Sequence, residues 1–232
     1  MGALFEGFEL IGSRPSARVP RLFQASLVAI DSSLIRAVDI VLSSALLIVL
    51  APLLLVIMIA VRVEDPGPIF YSHQRVGRFG REFPCLKFRS MVVGADTRLD
   101  EILAQDSRLR MEWFIDRKLR SDPRVTRVGA FLRRSSLDEL PQIINVLRGE
   151  MSLVGPRPIV PSEVPKYGRY IANYCSVRPG MTGLWQISGR NDVCYRRRVA
   201  LDVLYTRTRS LRLYLLIMMR TPFCVLVSRG SY

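Results

Sequence analysis

A single histidine, His73, serves the whole 232-residue chain. Any mechanism needing two histidines is thereby excluded, and a lone imidazole in a strand-like stretch is more often structural than catalytic. The four cysteines, Cys85, Cys175, Cys194 and Cys224, show no CxxC spacing and no histidine partners, so neither a zinc site nor a disulfide framework is supported. HExxH, the P-loop and GxGxxG are missing too, as are internal repeats. Acidic residues are scarce: 20 Asp and Glu face 34 Lys and Arg, for a net charge of +14. That excess calls for anionic partners such as nucleic acid, phospholipid headgroups or phosphorylated substrates. It all lies beyond residue 39, because Arg14, Arg18, Arg21 and Arg36 are balanced by Glu6, Glu9, Asp31 and Asp39. A chain of this length supports one sizeable core with appendages, not two full domains.

What the chain has in plenty is an apolar run. Ile40 to Val61 contains 22 residues without a charge, 15 of them Leu, Ile or Val. As a helix it would be about 33 Å long, enough for a bilayer core. At roughly 0.3–0.6 kcal/mol per aliphatic residue, insertion is favourable by about 5–9 kcal/mol. A buried core helix rarely runs so far without a polar face, and a signal peptide would start earlier and end in small residues. Pro52 sits mid-run, removes one backbone hydrogen bond and should kink the helix. Composition leaves two topologies open: a spanning helix with the basic body in the cytoplasm, or one that turns back at Pro52. Arg21 to Val38, with Leu22, Phe23, Leu27, Ile30 and Leu34 at helical spacing, fits an interfacial helix. So does Leu213 to Met219, bracketed by Arg207, Arg209, Arg212 and Arg220.

The soluble body reads as α+β and mostly helical. Ile69 to Val76 and Arg81 to Phe88 flank Gly77-Arg78-Phe79-Gly80 as a hairpin. Asp96 to Leu119 reads as one long polar helix, Asp122-Pro123 as a break, and Val125 to Arg133 as a helical stretch. Glu163 to Tyr174 and Tyr195 to Arg209 are further helix candidates, on either side of a loop with Pro179, Gly180, Gly183 and Gly189.

Ser136-Leu137-Asp138-Glu139 places adjacent carboxylates in this basic chain. The plain reading is an S-x-x-E capping box, with Glu139 reaching back to Ser136. A carboxylate in a helix's first turn also stays ionised, and an ionised aspartate is a nucleophile toward phosphorus. Its repulsion from a phosphate would need a divalent cation and nearby Arg or Lys. Arg157, held between Pro156 and Pro158, is the best candidate to grip a diphosphate. Lys87 follows, its neighbours Cys85, Leu86 and Phe88 marking it as emerging from packed structure. Arg89, Arg133 and Arg134 are also near in sequence.

Four ordered segments carry a specific resemblance: Lys87-Phe88-Arg89-Ser90-Met91, Ser136 to Gln142, Gly149 to Pro158, and Arg178 to Arg190 (RPGMTGLWQISGR). Across residues 36 to 232 the chain resembles the bacterial sugar transferase family, the monotopic phosphoglycosyl transferases, and looks most like its short exopolysaccharide-initiating members. The resemblance implies a two-step reaction. Asp138 attacks the β-phosphate of a UDP-sugar beside Mg²⁺ and releases UMP, and undecaprenyl phosphate then takes up the sugar phosphate. It implies that Asp138 and Glu139 form an acidic dyad at the metal, and that Lys87, Arg133, Arg157 and Asp202 lie around the phosphates and nucleotide. It also implies a re-entrant membrane helix, although the family's Ser-Pro is Ala51-Pro52 here, and the Trp-containing stretch often found after Tyr205 is Thr206 to Ser210.

The expected organisation is an N-terminal tail and amphipathic segment over 1–35, a membrane-embedded helix over 36–65 and a cytoplasmic catalytic domain over 66–232. It would be a re-entrant helix plus interfacial helices on a small globular domain with a short β-hairpin, at the bacterial inner membrane. Anionic inner-membrane lipids are expected partners, nucleic acid is not, and oligomeric state, a homodimer included, stays open. Galactose 1-phosphate is the expected cargo, with glucose 1-phosphate as the alternative. The rivals are a membrane-anchored anion-binding protein, and a glycosyltransferase that would release UDP.

Overall fold

The computed structural model describes residues 21–116, 119, 121–189 and 194–227. The tail before residue 21, Arg190 to Val193 and the segment after Val227 lie outside them. A mostly helical body packs against one long helix, α1 (Arg21–Glu64), which runs unbroken through Pro52. Arg21 to Val38 is therefore no separate element: its helical periodicity continues into the apolar run with no stop signal between them. Leu22, Phe23, Leu27 and Ile30 lie outside the residues whose side chains are described.

The middle of α1 is bare: Val41, Ile48, Val49 and Val56 are 65%, 74%, 74% and 62% exposed. Its ends are not. At the start, Arg36 donates to Val146 O (2.6 Å) and Leu147 O (3.0 Å), at the C-terminus of α5 (Gln142–Arg148). One turn on, buried Asp39 accepts from Ser152 Oγ (3.0 Å), Leu153 N (2.9 Å) and Tyr214 Oη (2.7 Å). At the other end, Glu64 accepts from the N–H groups of Arg127 (2.7 Å) and Val128 (2.8 Å), which open α4 (Arg127–Ser135). A carboxylate there satisfies orphan donors and complements the helix dipole. Asp65 pairs with Arg89 (3.1 Å) and accepts from Val93 N (2.9 Å).

The hairpin forms as expected. β1 (Phe70–Val76) pairs antiparallel with β2 (Glu82–Phe88) around a short 3-10 turn, in which Phe79 takes φ 60°. This pairing sets His73 opposite Cys85 and Tyr71 opposite Lys87. The long polar helix does not form. Asp106 breaks it into α2 (Ala95–Gln105) and α3 (Ser107–Asp116), its carboxylate accepting from Arg108 N (2.8 Å) and Leu109 N (3.3 Å). An aspartate that caps the following turn competes with helix continuation. The stretch from Glu163 to Tyr174 also breaks, at Gly168 (φ 49°), leaving α6 (Val164–Tyr167) and α7 (Ile171–Cys175).

A second, parallel pair joins β3 (Ser152–Val154) to β4 (Gly180–Thr182). A Cβ on Gly180 would run into the backbone of Gly155, so only glycine permits this approach. Then come α8 (Leu184–Ile187), α9 (Tyr195–Thr208) and α10 (Leu211–Val227). The last is longer than the apolar run Leu213–Met219 because it continues through Pro222. The main core gathers Ile35 of α1, Phe83 and Cys85 of β2, Val146, Leu153, Val154, Tyr205, Tyr214 and Ile217. A second cluster packs Ile57 and Val61 of α1 on Phe88 and Leu132.

Candidate functional site

The acidic pair sits in a 3-10 turn, Leu137–Glu139, between α4 and α5. The capping box expected here is absent. Ser136 adopts φ 57°, a left-handed conformation that ends α4, and its side chain caps nothing. Its N–H instead closes α4 by bonding back to Leu132 O and Arg133 O. An abrupt stop and an immediate restart therefore push Asp138 and Glu139 out of the helical line.

They point at Lys87, near the end of β2. Its ammonium donates to Glu139 Oε1 (2.7 Å) and Asp138 Oδ2 (3.3 Å). Asp138 is 8% exposed. Burial raises its pKa by more than Lys87 lowers it, leaving it above the ordinary carboxylate range. For Glu139 burial pulls the same way, but Lys87, helped by Arg157 and Arg75, outweighs it and the pKa falls. Lys87 is itself disfavoured by burial, yet the two carboxylates raise its pKa and keep it charged. The three form one electrostatic unit.

Asn145 fixes that unit in register. Fully buried on α5, it accepts from Leu86 N (2.9 Å) and donates to Pro84 O (2.8 Å) and Glu150 Oε2 (2.5 Å). Lys87 and the acidic turn are thus locked onto one frame. Sequence reasoning missed Asn145; its signal was a polar residue within the apolar helix QIINVLR.

The other candidates surround the unit unevenly. Arg133 donates to Ser90 Oγ (2.9 Å) and acts electrostatically on Asp138. Arg157 stands in a loop anchored by Arg75 donating to Pro158 O (3.2 Å) and by Val76 N donating to Ile159 O (2.9 Å). One cleft is lined by Lys87, Asp138, Glu139, Arg133, Arg157 and the apolar flank Leu42, Ala45, Leu46 and Val49 of α1. Asp202 is not among its lining residues: 1% exposed on α9, it accepts from Tyr167 Oη (2.7 Å), and burial pushes its pKa up to about 7. Arg157 still acts on it electrostatically. His73 lies on the exposed face of β1 and also lines the cleft, its pKa lowered by partial burial and by Arg75.

In the same cleft, Trp185 on α8 lies within cation–π distance of Arg157 (5.8 Å) and Arg198 (5.3 Å). The glycine-rich motif was noticed in the sequence, but these two contacts join segments too distant for spacing to show.

Among the described residues no three His, Cys, Asp or Glu side chains gather as a metal cluster. Mg²⁺ asks for less, since one or two carboxylates with water and substrate phosphate oxygens complete its shell. Asp138 and Glu139 supply that kind of hard oxygen donor, at the point where Lys87 already draws them toward a cation.

Comparison with known proteins shows the family. A sequence model of the bacterial sugar transferase family matches residues 30–228. Undecaprenyl-phosphate galactose phosphotransferase of Salmonella typhimurium is 53% identical over 168 residues, covering 72% of this chain and 35% of that protein. Exopolysaccharide production protein ExoY of Rhizobium meliloti is 51% identical over 176 residues, covering 76% of this chain and 78% of that one. UDP-glucose:undecaprenyl-phosphate glucose-1-phosphate transferase of Escherichia coli is 37% identical over 219 residues, covering 91% of this chain and 44% of that protein. The chain thus spans well under half of some curated relatives and most of another.

Proposed function

The chain belongs to the bacterial sugar transferase family, and we propose that it transfers a hexose 1-phosphate from a UDP-sugar to undecaprenyl phosphate. The observation that carries this is the Lys87–Asp138–Glu139 unit, opening into a cleft walled on one side by the bare apolar flank of α1. A charged floor beside an apolar wall suits a reaction between a water-soluble diphosphate and a lipid phosphate.

In the first step Asp138 Oδ attacks the β-phosphorus. An Asp–O–P bond forms, the bond to the α-phosphate's bridging oxygen breaks, and UMP leaves with that oxygen. In the second step an oxygen of the lipid phosphate attacks the same phosphorus and Asp138 is released unchanged. Lys87 and Arg157 offset the charge building on the phosphates, and Arg133 adds positive field beside Asp138. Asp138 must be ionised to attack, and Lys87 opposes the protonation that burial favours. Asp138 and Glu139 would hold Mg²⁺, which would supply further charge neutralisation at the diphosphate.

The two ends of α1 support a membrane placement. Arg36 and Glu64 are separated by about 42 Å if the helix is straight, more than the roughly 30 Å of a hydrocarbon core. Yet both ends bond to the flanks of the same polar site. A crossing helix would drag one flank through the bilayer, so we read α1, although helical throughout, as bending at Pro52 to enter one leaflet and return. Residues 66–232 then form a catalytic domain on the cytoplasmic face of the inner membrane. Exposed Met219 and Phe223 on α10, with Arg212 and Arg220, would meet anionic lipid.

Galactose is the proposed sugar because relatives near 50% identity include one named for galactose, whereas two named for glucose are 37% and 39% identical. The experiment is turnover with a panel of UDP-sugars and undecaprenyl phosphate. UMP and a lipid diphosphate galactose are expected; release of UDP would identify a glycosyltransferase and overturn the proposal.

A further inference from the structure

The α8 side of the cleft holds polar atoms left without partners among the described residues. Trp185 is 8% exposed, yet its indole Nε1–H is buried and donates to nothing among the described residues. Next to it, Gln186 uses only its amide nitrogen, toward Met181 O (3.4 Å), while its buried Oε1 accepts from nothing among the described residues. Arg198, 5.3 Å from the Trp185 ring, keeps Nε and Nη2 buried without an acceptor among the described residues. A buried unpaired donor or acceptor costs about 1–3 kcal/mol, so several in one place call for a ligand that completes them.

Their position restricts that ligand. Trp185 and Gln186 line the cleft that holds Lys87, Asp138 and Arg157, and the Arg157 guanidinium packs on the Trp185 ring. The ligand part they meet therefore adjoins the phosphates. Both arginines lie within cation–π distance of the indole, which leaves its N–H edge as the group free to read hydrogen-bonding patterns. A donor and an acceptor on successive residues of one short helix could together meet a carbonyl and an adjacent N–H of one ligand edge. Uracil presents that pair at its O4 (or O2) and N3–H; cytosine, with an unprotonated N3, does not.

We propose that Trp185 and Gln186 form the base-reading subsite of the donor nucleotide, Trp185 Nε1 donating to a uracil carbonyl and Gln186 Oε1 accepting from N3–H. This rests on the proposed use of a UDP-sugar but is tested apart from it, by binding. Sites built around a hydrogen bond reject analogues that cannot make it.

The test is calorimetric titration of the full chain in detergent with UMP, 3-methyl-UMP and inorganic diphosphate. The wild-type protein should bind UMP at least about tenfold more tightly than 3-methyl-UMP, whose N3 carries no proton. In Gln186→Leu that preference should shrink to within about twofold, with diphosphate affinity unchanged. Trp185→Phe should weaken UMP by about five- to tenfold and again spare diphosphate. Equal wild-type affinity for the two nucleotides would mean that ordered water fills the pair, and would overturn the inference. So would a Gln186→Leu protein that loses UMP, 3-methyl-UMP and diphosphate by a common factor, or a Trp185→Phe protein with unchanged UMP affinity. A wild-type enzyme that selects UMP but transfers no sugar phosphate would refute the proposed function while leaving this subsite standing.

Discussion

Two walls of one cleft follow opposite rules. On the acidic wall the carboxylates of Asp138 and Glu139 both meet Lys87, and Asn145 ties the strand to the helix behind them. On the wall built from α8, Trp185 and Gln186 retain a donor and an acceptor with no partner among the described residues. The difference teaches where each wall spends its interactions. A wall that does chemistry must hold its charges in place before substrate arrives, whereas a wall that recognises must keep hydrogen bonds in reserve.

The largest effect should follow from striking the acidic wall at its nucleophile. Asp138→Asn keeps the shape of the turn and removes the attacking oxygen, so UMP release should fall by about 10³-fold or more, at least about 4 kcal/mol. A variant with near-normal turnover would leave that wall without a chemical role, and an anion-binding protein would become the better reading.

Lys87→Met should come next, lowering turnover by about 10²-fold. It also sharpens the comparison through pH. Asp138 already titrates above the usual carboxylate range, because burial outweighs the lowering by Lys87. Activity should therefore fall as pH drops through that raised value, and removing Lys87 should move the acid limb to still higher pH. A limb that stays in place would show that Lys87 does not govern the nucleophile.

Arg157→Lys probes the seam between the walls. It keeps the charge but loses the planar fork and much of the stacking on Trp185, so kcat/KM for the UDP-sugar should fall about tenfold, mostly through KM. Steady-state kinetics with varied UDP-sugar separate the two constants.

The smallest effect belongs behind the cleft, at Asp202. Burial raises its folded-state pKa to about 7, above the ordinary unfolded value near 3.9. Between these pH values the folded protein retains a proton that the unfolded chain has released, so stability falls as pH rises through that window. Asp202→Asn removes the titration and can still accept from Tyr167 Oη. The variant should gain on the order of 1–3 kcal/mol over wild type at pH 8, about a third of that at pH 5 and almost nothing below about pH 4, read from denaturant unfolding.

The two walls also differ in how legible they were. Lys87, the acidic pair and the hairpin could be read from the sequence because each depends on near neighbours: a turn with Gly77 and Gly80, a basic residue in a strand, adjacent carboxylates. The apolar run was plain from its length. The capping box misled, since nothing local signals that Ser136 closes one helix in a left-handed conformation instead of opening the next. The break at Asp106 was hidden because the charges of Asp96 to Leu119 fit one helix as well as two. The recognition wall was out of reach, as it needs the parallel pairing of Ser152–Val154 with Gly180–Thr182, three-residue strands with too little pattern to detect. Asp39 could be seen only as a charge flanking the apolar run, yet it is buried and holds β3 and α10 onto α1.

The most direct test of the acidic wall's role is the mass of the protein after mixing with UDP-galactose in the absence of lipid acceptor. The account predicts that the chain gains one hexose phosphate, on the peptide containing Asp138, while UMP appears, and that adding undecaprenyl phosphate discharges the adduct. UMP formation on adding acceptor with no adduct on that peptide, or with an adduct elsewhere, would contradict it.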